Sequence, residues 1–368
     1  MSKNNQSLTN IALQKFQKNF WGVFSFSYIV LMIVFALFAY VLAPDNSENA
    51  NQMHLSIHSK SPGFEVLMLA VPSQKVDSKT LKGYIFGHPN QVTEIPILEY
   101  KIAGNSIHYI EYTADDEIKQ MKEINIDKLI GFTSMQEVEK ELVTTKKFYL
   151  GTDKYGRDLL SRMLVGSRVS ISIGFVAVLI SLIVGLLFGA LGGYYGGKID
   201  VMVMWLVNVI WSIPTLLLVI AITLALGKGF WQVFVAVGLT MWVEVARVVR
   251  GQIISVKEMQ YVTAARALGF SDIRIILNHI IPNIMAPVIV ISAANFASAI
   301  LVESGLSFLG LGAQPPIPSW GGMIKDHYSY IILGKPYLAL VPGTAIMLIT
   351  LAFMMTGNAL RDAMDVKQ

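Results

Sequence analysis

The sequence predicts an all-α polytopic membrane protein with six transmembrane helices and a folded α+β insert between the first and second of them. Of its 368 residues, 54% are hydrophobic and only 15% are charged, a composition typical of integral membrane proteins. Apolar runs long enough to cross a bilayer recur along the chain, separated by polar connections. From Asp45 to Lys147, by contrast, the chain is rich in Asp, Glu and Lys and contains no Arg.

Charge and cysteine content narrow the possible functions. A net charge of +4 does not suggest a nucleic-acid partner, and the Lys and Arg residues are better explained by membrane topology. The chain has no cysteine, which excludes disulfides, thiol catalysis and thiolate metal sites. Histidines 54, 58, 88 and 108 are scattered and are interpreted as solvated surface residues. We therefore predict neither catalytic residues nor a metal site.

The first predicted domain, residues 1–43, is a cytoplasmic N-terminus followed by a transmembrane helix over 20–43. Lys3, Lys15 and Lys18 precede the apolar run, and no acidic residue accompanies them. The run is too long for the apolar core of a signal peptide and lacks a small-x-small cleavage site. We therefore expect a retained helix with its N-terminus in the cytoplasm, by the positive-inside rule.

The second predicted domain, residues 44–150, is an extracytoplasmic insert. Alternating apolar residues predict strands at 64–71, 82–86, 94–102 and 106–112, and helical spacing predicts helices at 115–128 and 135–146. The alternation argues against a floppy loop. The sequence does not indicate the role of this domain.

The third predicted domain, residues 151–368, contains the remaining spans, at 171–191, 201–226, 230–249, 284–302 and 337–356. It opens with GTDKYGRD, in which Thr152 and Asp153 can cap a short helix and Gly156 permits a turn. Pro214 lies inside the third span and should kink it. Six spans return the C-terminus to the cytoplasmic side, and Lys257, Arg266 and Arg274 in the loop after span four agree with this topology.

That loop, 257–283, is the longest polar interruption in the apolar C-terminal half. Tyr261, Ala265 and Leu268 follow i, i+4, i+7 spacing, so we expect them to share one helical face. Gly269 suits a left-handed C-cap, and Ser271 can cap a second short helix. Pro282 should end or kink that second helix. The alternative is an ordinary amphipathic helix on the membrane surface.

A second irregular stretch follows Glu303 and reads GLSFLGLGAQPPIPSWGGM over residues 305–323. Its glycines and prolines predict a loop rather than a continuous helix. By the topology, this loop is an external re-entrant or capping segment.

These three stretches resemble the permeases of ABC importers of the oligopeptide, dipeptide and nickel type. Loop 257–283 is similar to their cytoplasmic E-A-A-x-x-x-G loop, with Thr263 in the place of the usual Glu. GTDKYGRD and the segment from Glu303 to Gly321 are similar to two further signatures, of which the latter is the more specific. The resemblance covers the first span and residues 151–368, and not the insert.

The resemblance implies a type I ABC importer permease that pairs with a second, homologous permease, lies in the inner membrane lipid with both termini cytoplasmic, and transports peptides delivered by an extracytoplasmic substrate-binding protein. It implies two ABC ATPase subunits as partners, and that loop 257–283 docks in a groove of an ATPase subunit. The residues implied in coupling are Tyr261, Thr263, Ala264, Ala265, Leu268, Gly269, Asp272, His279, Pro282 and Asn283. The residues implied in the translocation path or external gate are Pro214, Glu303, Phe308 and Trp320.

Other functions remain as alternatives. The family also includes importers of nickel or another small solute. A membrane-embedded enzyme would need paired polar residues in the spans, and Glu244 and Arg247 are three apart and can simply pair on a helix face. An ion-coupled transporter would need charges in mid-span and inverted repeats. Since no phosphate-binding GxxxxGK[ST] loop is present, we expect this chain to bind no cofactor, and ATP and Mg to be used by the partner ATPases.

Overall fold

The computed structural model describes residues 8–72, 81–89, 92–113, 120–125, 142–227 and 229–364. The chain divides into two compact units, each built from several stretches of sequence. We call residues 1–33, 170–314 and 343–368 the membrane unit, and residues 34–169 and 315–342 the insert unit. The stretch 44–150 lies wholly within the insert unit.

The chain begins with helices α1 (Leu8–Lys18), α2 (Phe20–Leu37) and α3 (Ala39–Leu42). Next come β1 (Phe64–Pro72), α4 (Leu81–Phe86), β2 (Val92–Ala103), β3 (Ser106–Glu111), β4 (Met121–Asn125) and β5 (Val143–Phe148). They are followed by α5 (Leu159–Tyr195), α6 (Gly197–Trp211), α7 (Thr215–Leu226) and α8 (Phe230–Val256). The last helices are α9 (Gln260–Ala267), α10 (Asp272–Ile275), α11 (Ile281–Phe308), α12 (Trp320–His327) and α13 (Tyr337–Met364). A π-helical segment, Ile276–Ile280, joins α10 to α11.

Five helices in the described part of the chain are long and apolar enough to cross a membrane. They are α2, α5, α8, the continuous helix from α10 through α11, and α13. Helices α6 and α7 form a sixth span if the bent pair is counted as one. The predicted polytopic helical fold is therefore confirmed. Four of the helices are longer than predicted: α5 and the α10–α11 helix each contain 37 residues, α13 contains 28 and α8 contains 27.

The third span is broken rather than kinked. Helix α6 ends at Trp211, α7 begins at Thr215, and the two axes differ by 91°. Pro214 has no N–H to donate and disfavours helical backbone at the residue before it. The expectation of one continuous kinked helix is therefore wrong, and the proline marks the start of a new helix.

Helices α5 and α8 pack closely through small residues. Gly185, Gly189 and Gly193 follow an i, i+4, i+8 spacing on α5, and a methyl group added at each would approach the α8 backbone to 2.9, 2.7 and 2.9 Å. Glycines at this spacing let two helix backbones approach within a membrane, where side-chain packing rather than exclusion of water drives association. This stripe holds α8, and with it the start of loop 257–283.

The insert unit is built on an antiparallel sheet in the order β4-β3-β2-β1-β5. The central pairing places Leu67 opposite Ile97 and Leu69 opposite Ile95. Apolar side chains form two buried clusters: Leu69, Ile97, Ile107, Tyr109 and Leu142 in one, and Ile57, Val66, Met68 and Phe148 in the other. Residues next to each other in β1 belong to different clusters because side chains alternate between the faces of a strand. The strands predicted at 64–71, 94–102 and 106–112 are confirmed.

Three other local predictions in this unit are wrong. Residues 82–86 belong to helix α4, which is followed by Gly87 in the left-handed region at φ 88°, the backbone that commonly ends a helix. Residues 121–125, predicted within a helix, form β4 and pair with β3. Residues 143–146, also predicted helical, belong to β5, which pairs with β1. Pairing with a neighbouring strand overrides local helical preference. The rest of those two predicted helices, 115–119, 126–128 and 135–141, lies outside the described residues.

Candidate functional site

Helix α9 in loop 257–283 has one buried face and one exposed face. Val262 and Ala265, three apart, are 0% and 4% exposed and belong to a buried cluster with Val249, Ile253 and Ile275. An eight-residue helix is too short to be stable by itself. Packing of these two side chains on α8 and on the helix after the loop therefore holds α9 in place.

The exposed face of α9 is formed by Tyr261, Ala264 and Leu268, at i, i+3, i+7 spacing. Tyr261 is 42% and Leu268 74% exposed, and Thr263 is exposed beside them. The prediction that Ala265 shares this face is wrong, because Ala265 points into the membrane unit. Adjacent alanines at 264 and 265 fit either face of a helix, so the sequence pattern alone does not distinguish them.

Gly269 ends α9 as predicted, with φ 78°. The N–H of Gly269 donates to the carbonyl of Arg266 at 3.0 Å, and that of Phe270 donates to Ala265 at 3.2 Å. This pair of bonds is a Schellman motif, in which the residue after the C-cap takes left-handed backbone. The glycine fixes the angle at which the chain leaves α9.

The second half of the loop is the start of a span rather than a separate short helix. Ser271 takes the N-cap position of α10 without a side-chain capping bond. Asp272 instead accepts a hydrogen bond from the Tyr194 hydroxyl at 2.6 Å, which ties the loop to the end of α5. Pro282 stands in the first turn of α11, directly after the π segment. Since proline cannot donate a bond back along the helix, the wider π turn before it accommodates the missing bond.

His279 and Asn283 brace this junction. The His279 ring stacks on Phe270 with centroids 5.8 Å apart, and the Asn283 amide donates to the His279 carbonyl at 2.6 Å. The Arg274 guanidinium lies over the same Phe270 ring, 4.2 Å from its centroid. The structure thus places the predicted coupling residues on α9, at the turn that ends it and on the helix that follows it. Some of them are exposed, and others support the exposed ones.

GTDKYGRD, in the insert unit, forms a buried polar network. The Asp153 carboxylate is fully buried; it accepts from the Tyr155 N–H at 2.8 Å and from Arg157 Nε at 2.6 Å. Arg162 Nε lies 3.7 Å from the same carboxylate. The Thr152 hydroxyl donates to the Ile57 carbonyl and accepts from the Lys60 N–H. The interpretation of Thr152 and Asp153 as helix caps is therefore wrong, since both bind neighbouring loops and side chains.

Asp158 is the residue that caps the helix. Its carboxylate accepts a hydrogen bond from the N–H of Ser161 in the first turn of α5 at 2.8 Å, and also bonds the Ser161 hydroxyl. Burial raises the pKa of Asp158, while these hydrogen bonds act in the opposite direction. The cap begins a 37-residue helix at a fixed point in the insert unit.

Residues implied in the path or external gate occupy different positions. Glu303 is buried in α11, where its carboxylate accepts from the Ser307 hydroxyl at 2.6 Å. Phe308 ends α11 and is 43% exposed. Pro214 lies at the break between α6 and α7. Trp320, in the insert unit, is fully buried and donates from Nε1 to the Met163 carbonyl at 3.0 Å.

Because α11 continues to Phe308, the predicted loop over 305–323 is irregular only from Leu309 to Ser319.

The insert unit also contains a triad that no sequence pattern indicated. His54 Nε2 lies 3.5 Å and Lys146 Nζ 2.6 Å from the Glu94 carboxylate. Burial alone would raise the pKa of Glu94, but the hydrogen bond from His54 and the charge of Lys146 lower it from 4.5 to about 2. His54 is buried, so its interpretation as a solvated histidine is wrong. The three residues lie far apart in sequence, and no local spacing points to them.

Several apolar helices of spanning length, with a bent pair at Pro214 and a short helix on a polar loop, are the architecture of a multi-pass membrane protein. Residues 171–367 match the model of one family, the binding-protein-dependent transport system inner membrane components. The chain belongs to this family. It is accordingly a multi-pass protein of the inner membrane, and its relatives are transport permease subunits.

Among its relatives is the dipeptide transport system permease protein of Alkalihalophilus pseudofirmus, which is 41% identical over 219 residues, 60% of this chain and 72% of that protein. The oligopeptide transport system permease protein of Escherichia coli is 42% identical over the same shares of the two chains. The glutathione transport system permease protein of Pectobacterium atrosepticum is 39% identical, again over 60% and 72%.

Two solved structures also resemble parts of the chain. An inward-facing methionine ABC transporter matches 55% of this chain and 95% of its own with a TM-score of 0.46 and 16% identity. An amino acid ABC transporter with histidines matches 55% of this chain and 93% of its own with a TM-score of 0.40 and 17% identity.

Proposed function

We propose that this chain is the permease subunit of an ATP-driven peptide importer, and that it forms the translocation path together with a second, homologous permease. The observation that carries the proposal is helix α9, which presents Tyr261, Ala264 and Leu268 outward from a base fixed by Val262 and Ala265. A small, rigidly held apolar face is suited to docking in a groove of another subunit. Relatives named for dipeptide, oligopeptide and glutathione transport favour peptides over the alternative of nickel or another small solute.

In this proposal loop 257–283, including the exposed positions Thr263 and Leu268, docks in a groove of one of two partner ABC ATPases. The ATPases bind and hydrolyse ATP with Mg, while this chain is non-catalytic and binds no cofactor. A substrate-binding protein delivers peptide to the extracytoplasmic face, and Glu303, Phe308, Trp320 and Pro214 belong to the path or its external gate. Closure of the ATPase pair moves α9, and the continuous helix from α10 through α11 carries that movement into the membrane.

The proposed function is tested by reconstitution. The complex is purified through a tag on this chain, inserted into liposomes with its binding protein, and supplied with ATP and labelled trialanine. We expect both ATPases and the second permease to copurify, and trialanine to accumulate only with hydrolysable ATP. Accumulation of nickel without peptide, or purification without any ATPase, would contradict the proposal.

The proposed topology, with both termini cytoplasmic, is tested by single cysteines, since the chain has none of its own. Thr144→Cys in exposed β5 and Ser271→Cys in the loop are both exposed positions. We expect a membrane-impermeant maleimide to label position 144 from the periplasm and position 271 only in inverted vesicles. The reverse pattern would overturn the topology.

A further inference from the structure

A small cavity lies in the membrane unit where the broken third span meets α8 and α11. Its volume is about 190 Å³, below the ~300–1,000 Å³ of sites that enclose a whole small molecule. Four polar side chains line it: Thr215, Thr240, Glu244 and Ser298. The cavity therefore has room for one end of a longer solute and offers it polar contacts.

Glu244 is the charged residue of this cavity. It lies near the middle of the 27-residue helix α8, which continues past the predicted span 230–249. Its side chain is exposed in this chain. An ionisable side chain within a membrane span is costly unless it faces water or a polar partner, so it marks a functional position by default. The break at Pro214 reaches the same cavity, and broken helices commonly build solute sites near the middle of the bilayer.

The carboxylate of Glu244 is not engaged by Arg247, the partner that helical spacing suggested. The Arg247 guanidinium donates to Asn208 Oδ1 at 2.7 Å and lies 3.6 Å from the centroid of the Trp211 ring. Across the part of the chain that the structure describes, no basic side chain forms an ion pair or hydrogen bond with Glu244. Among the described residues, the Glu244 carboxylate thus has no basic partner.

The other groups at the cavity favour a cation with several N–H donors. The Thr240 hydroxyl donates to the Val237 carbonyl at 2.8 Å, which leaves its oxygen as an acceptor. Ile210 and Trp211, at the C-terminal end of α6, also line the cavity, and the last carbonyls of a helix carry partial negative charge. An ammonium group has three donors and no acceptor, and so matches this set. Helix α7 begins at the same break, and its first N–H groups suit the carbonyl oxygens of a peptide backbone.

We propose that this cavity is a transport subsite for the protonated α-amino group of a peptide, with the Glu244 carboxylate as its counter-ion. The inference rests on the proposed function, because only a transported peptide would bring that group to this depth. If instead Glu244 pairs with a basic side chain of the second permease, the subsite does not exist, and the experiments below separate the two cases.

The first experiment probes the cavity directly through Ser298→Cys, a single thiol in a chain without cysteine. We expect a cationic thiosulfonate to react about tenfold faster than an anionic one because the carboxylate attracts it, and Glu244→Gln to bring the two rates together. Trialanine should protect the thiol, whereas N-acetyl-trialanine should not. Glu99→Gln, which removes an exposed carboxylate on β2, is the matched control and should change neither result.

The second experiment measures transport by the reconstituted complex. We expect Glu244→Gln to raise the KM for trialanine about tenfold, the change expected on loss of one charge-assisted hydrogen bond. Glu244→Asp should retain part of the affinity, and the control variant Glu99→Gln should change neither the KM nor basal ATP hydrolysis. An unchanged KM, equal protection by the acetylated peptide, or separation of the two permeases in Glu244→Gln would each overturn the subsite. Failure of the wild-type complex to accumulate any peptide would instead overturn the proposed function.

Discussion

Gly156 of the insert unit and Gly269 of the membrane unit have nearly the same backbone, with φ of 73° and 78°, but different surroundings. A methyl group added at Gly156 would lie 1.8 Å from the carbonyl oxygen of His54, whereas one added at Gly269 would meet nothing within 4 Å. The first glycine belongs to a motif that is folded into its own unit. The second belongs to a motif that faces outward. Two sequence signatures of one family thus serve opposite purposes: one holds the chain together, and the other presents a surface.

The strongest test of the inward motif is Asp153→Asn. This change leaves Arg157 and Arg162, 3% and 5% exposed, without their shared negative charge. Loss of one partner from a buried ion pair costs about 3–5 kcal/mol, so we expect the insert unit to unfold well below the wild-type temperature. Protease cleavage of the purified complex over a temperature series measures this. Glu65→Gln, at an exposed ion pair with Lys147, is the control and should leave the cleavage temperature unchanged.

A matched pair, Gly156→Ala and Gly269→Ala, tests the comparison itself. Left-handed backbone costs either alanine about 1–2 kcal/mol, and only Gly156→Ala adds a clash with backbone. We therefore expect Gly156→Ala to prevent stable folding of the insert unit, and Gly269→Ala to lower the thermal midpoint only modestly. Equal effects in the same cleavage assay would show that the two glycines do not differ as described.

The triad of Glu94, His54 and Lys146 should make the stability of the insert unit depend on pH, with a smaller effect than the changes above. The pKa of Glu94 is lowered from 4.5 to about 2 on folding, so its stabilisation is fully present above pH 4.5 and is lost as the pH falls towards 2. Glu94→Gln should cost about 1–3 kcal/mol at neutral pH and should flatten the pH dependence of insert cleavage in that window. A variant that remains as acid-sensitive as the wild type would contradict this role.

The smallest effect on stability is expected at the outward motif. Leu268→Ser changes a side chain that is 74% exposed, so we expect a stability change within about 0.5 kcal/mol. Peptide-stimulated ATP hydrolysis should nevertheless fall, because the proposed docking face loses its most exposed apolar side chain. Ala265→Trp should do the reverse: it overpacks a buried site at about 1–3 kcal/mol and should lower the thermal midpoint of the chain itself. Normal hydrolysis in Leu268→Ser would remove α9 from the docking surface.

The features of the fold that depend on neighbouring residues in the chain were predicted from the sequence. Apolar runs located every span, Gly269 located the end of α9, and Pro214 located the defect in the third span. The sequence did not predict which face of α9 is buried, since Ala264 and Ala265 are interchangeable in a helical pattern. It also missed β4 and β5, because strand pairing depends on partners distant in the chain. Glu94 and its two partners escaped prediction for the same reason.

The ion pair between Asp153 and Arg157 in GTDKYGRD could have been predicted in part. Asp153 and Arg157 are four residues apart, a spacing that suggests an ion pair, and the pair is formed at 2.6 Å. That Arg162 joins it depends on the turn at Gly156 and on burial, which the sequence does not reveal. The cavity at Glu244 likewise needed the structure, because Thr215, Thr240 and Ser298 come from three different helices.

The π-helical segment Ile276–Ile280 sets the rotational phase between loop 257–283 and the span that follows it. A single π turn accommodates one residue more than an α turn, and one residue of α-helix corresponds to about 100° of rotation and 1.5 Å of rise. If the segment became α-helical with all its residues kept, α10 and everything before it would swing by about that angle relative to α11, whereas deleting one residue within it, such as Leu277, would give a regular helix with the present orientation. The direction in which the exposed face of α9 points is therefore set by a segment that contributes no residue to that face.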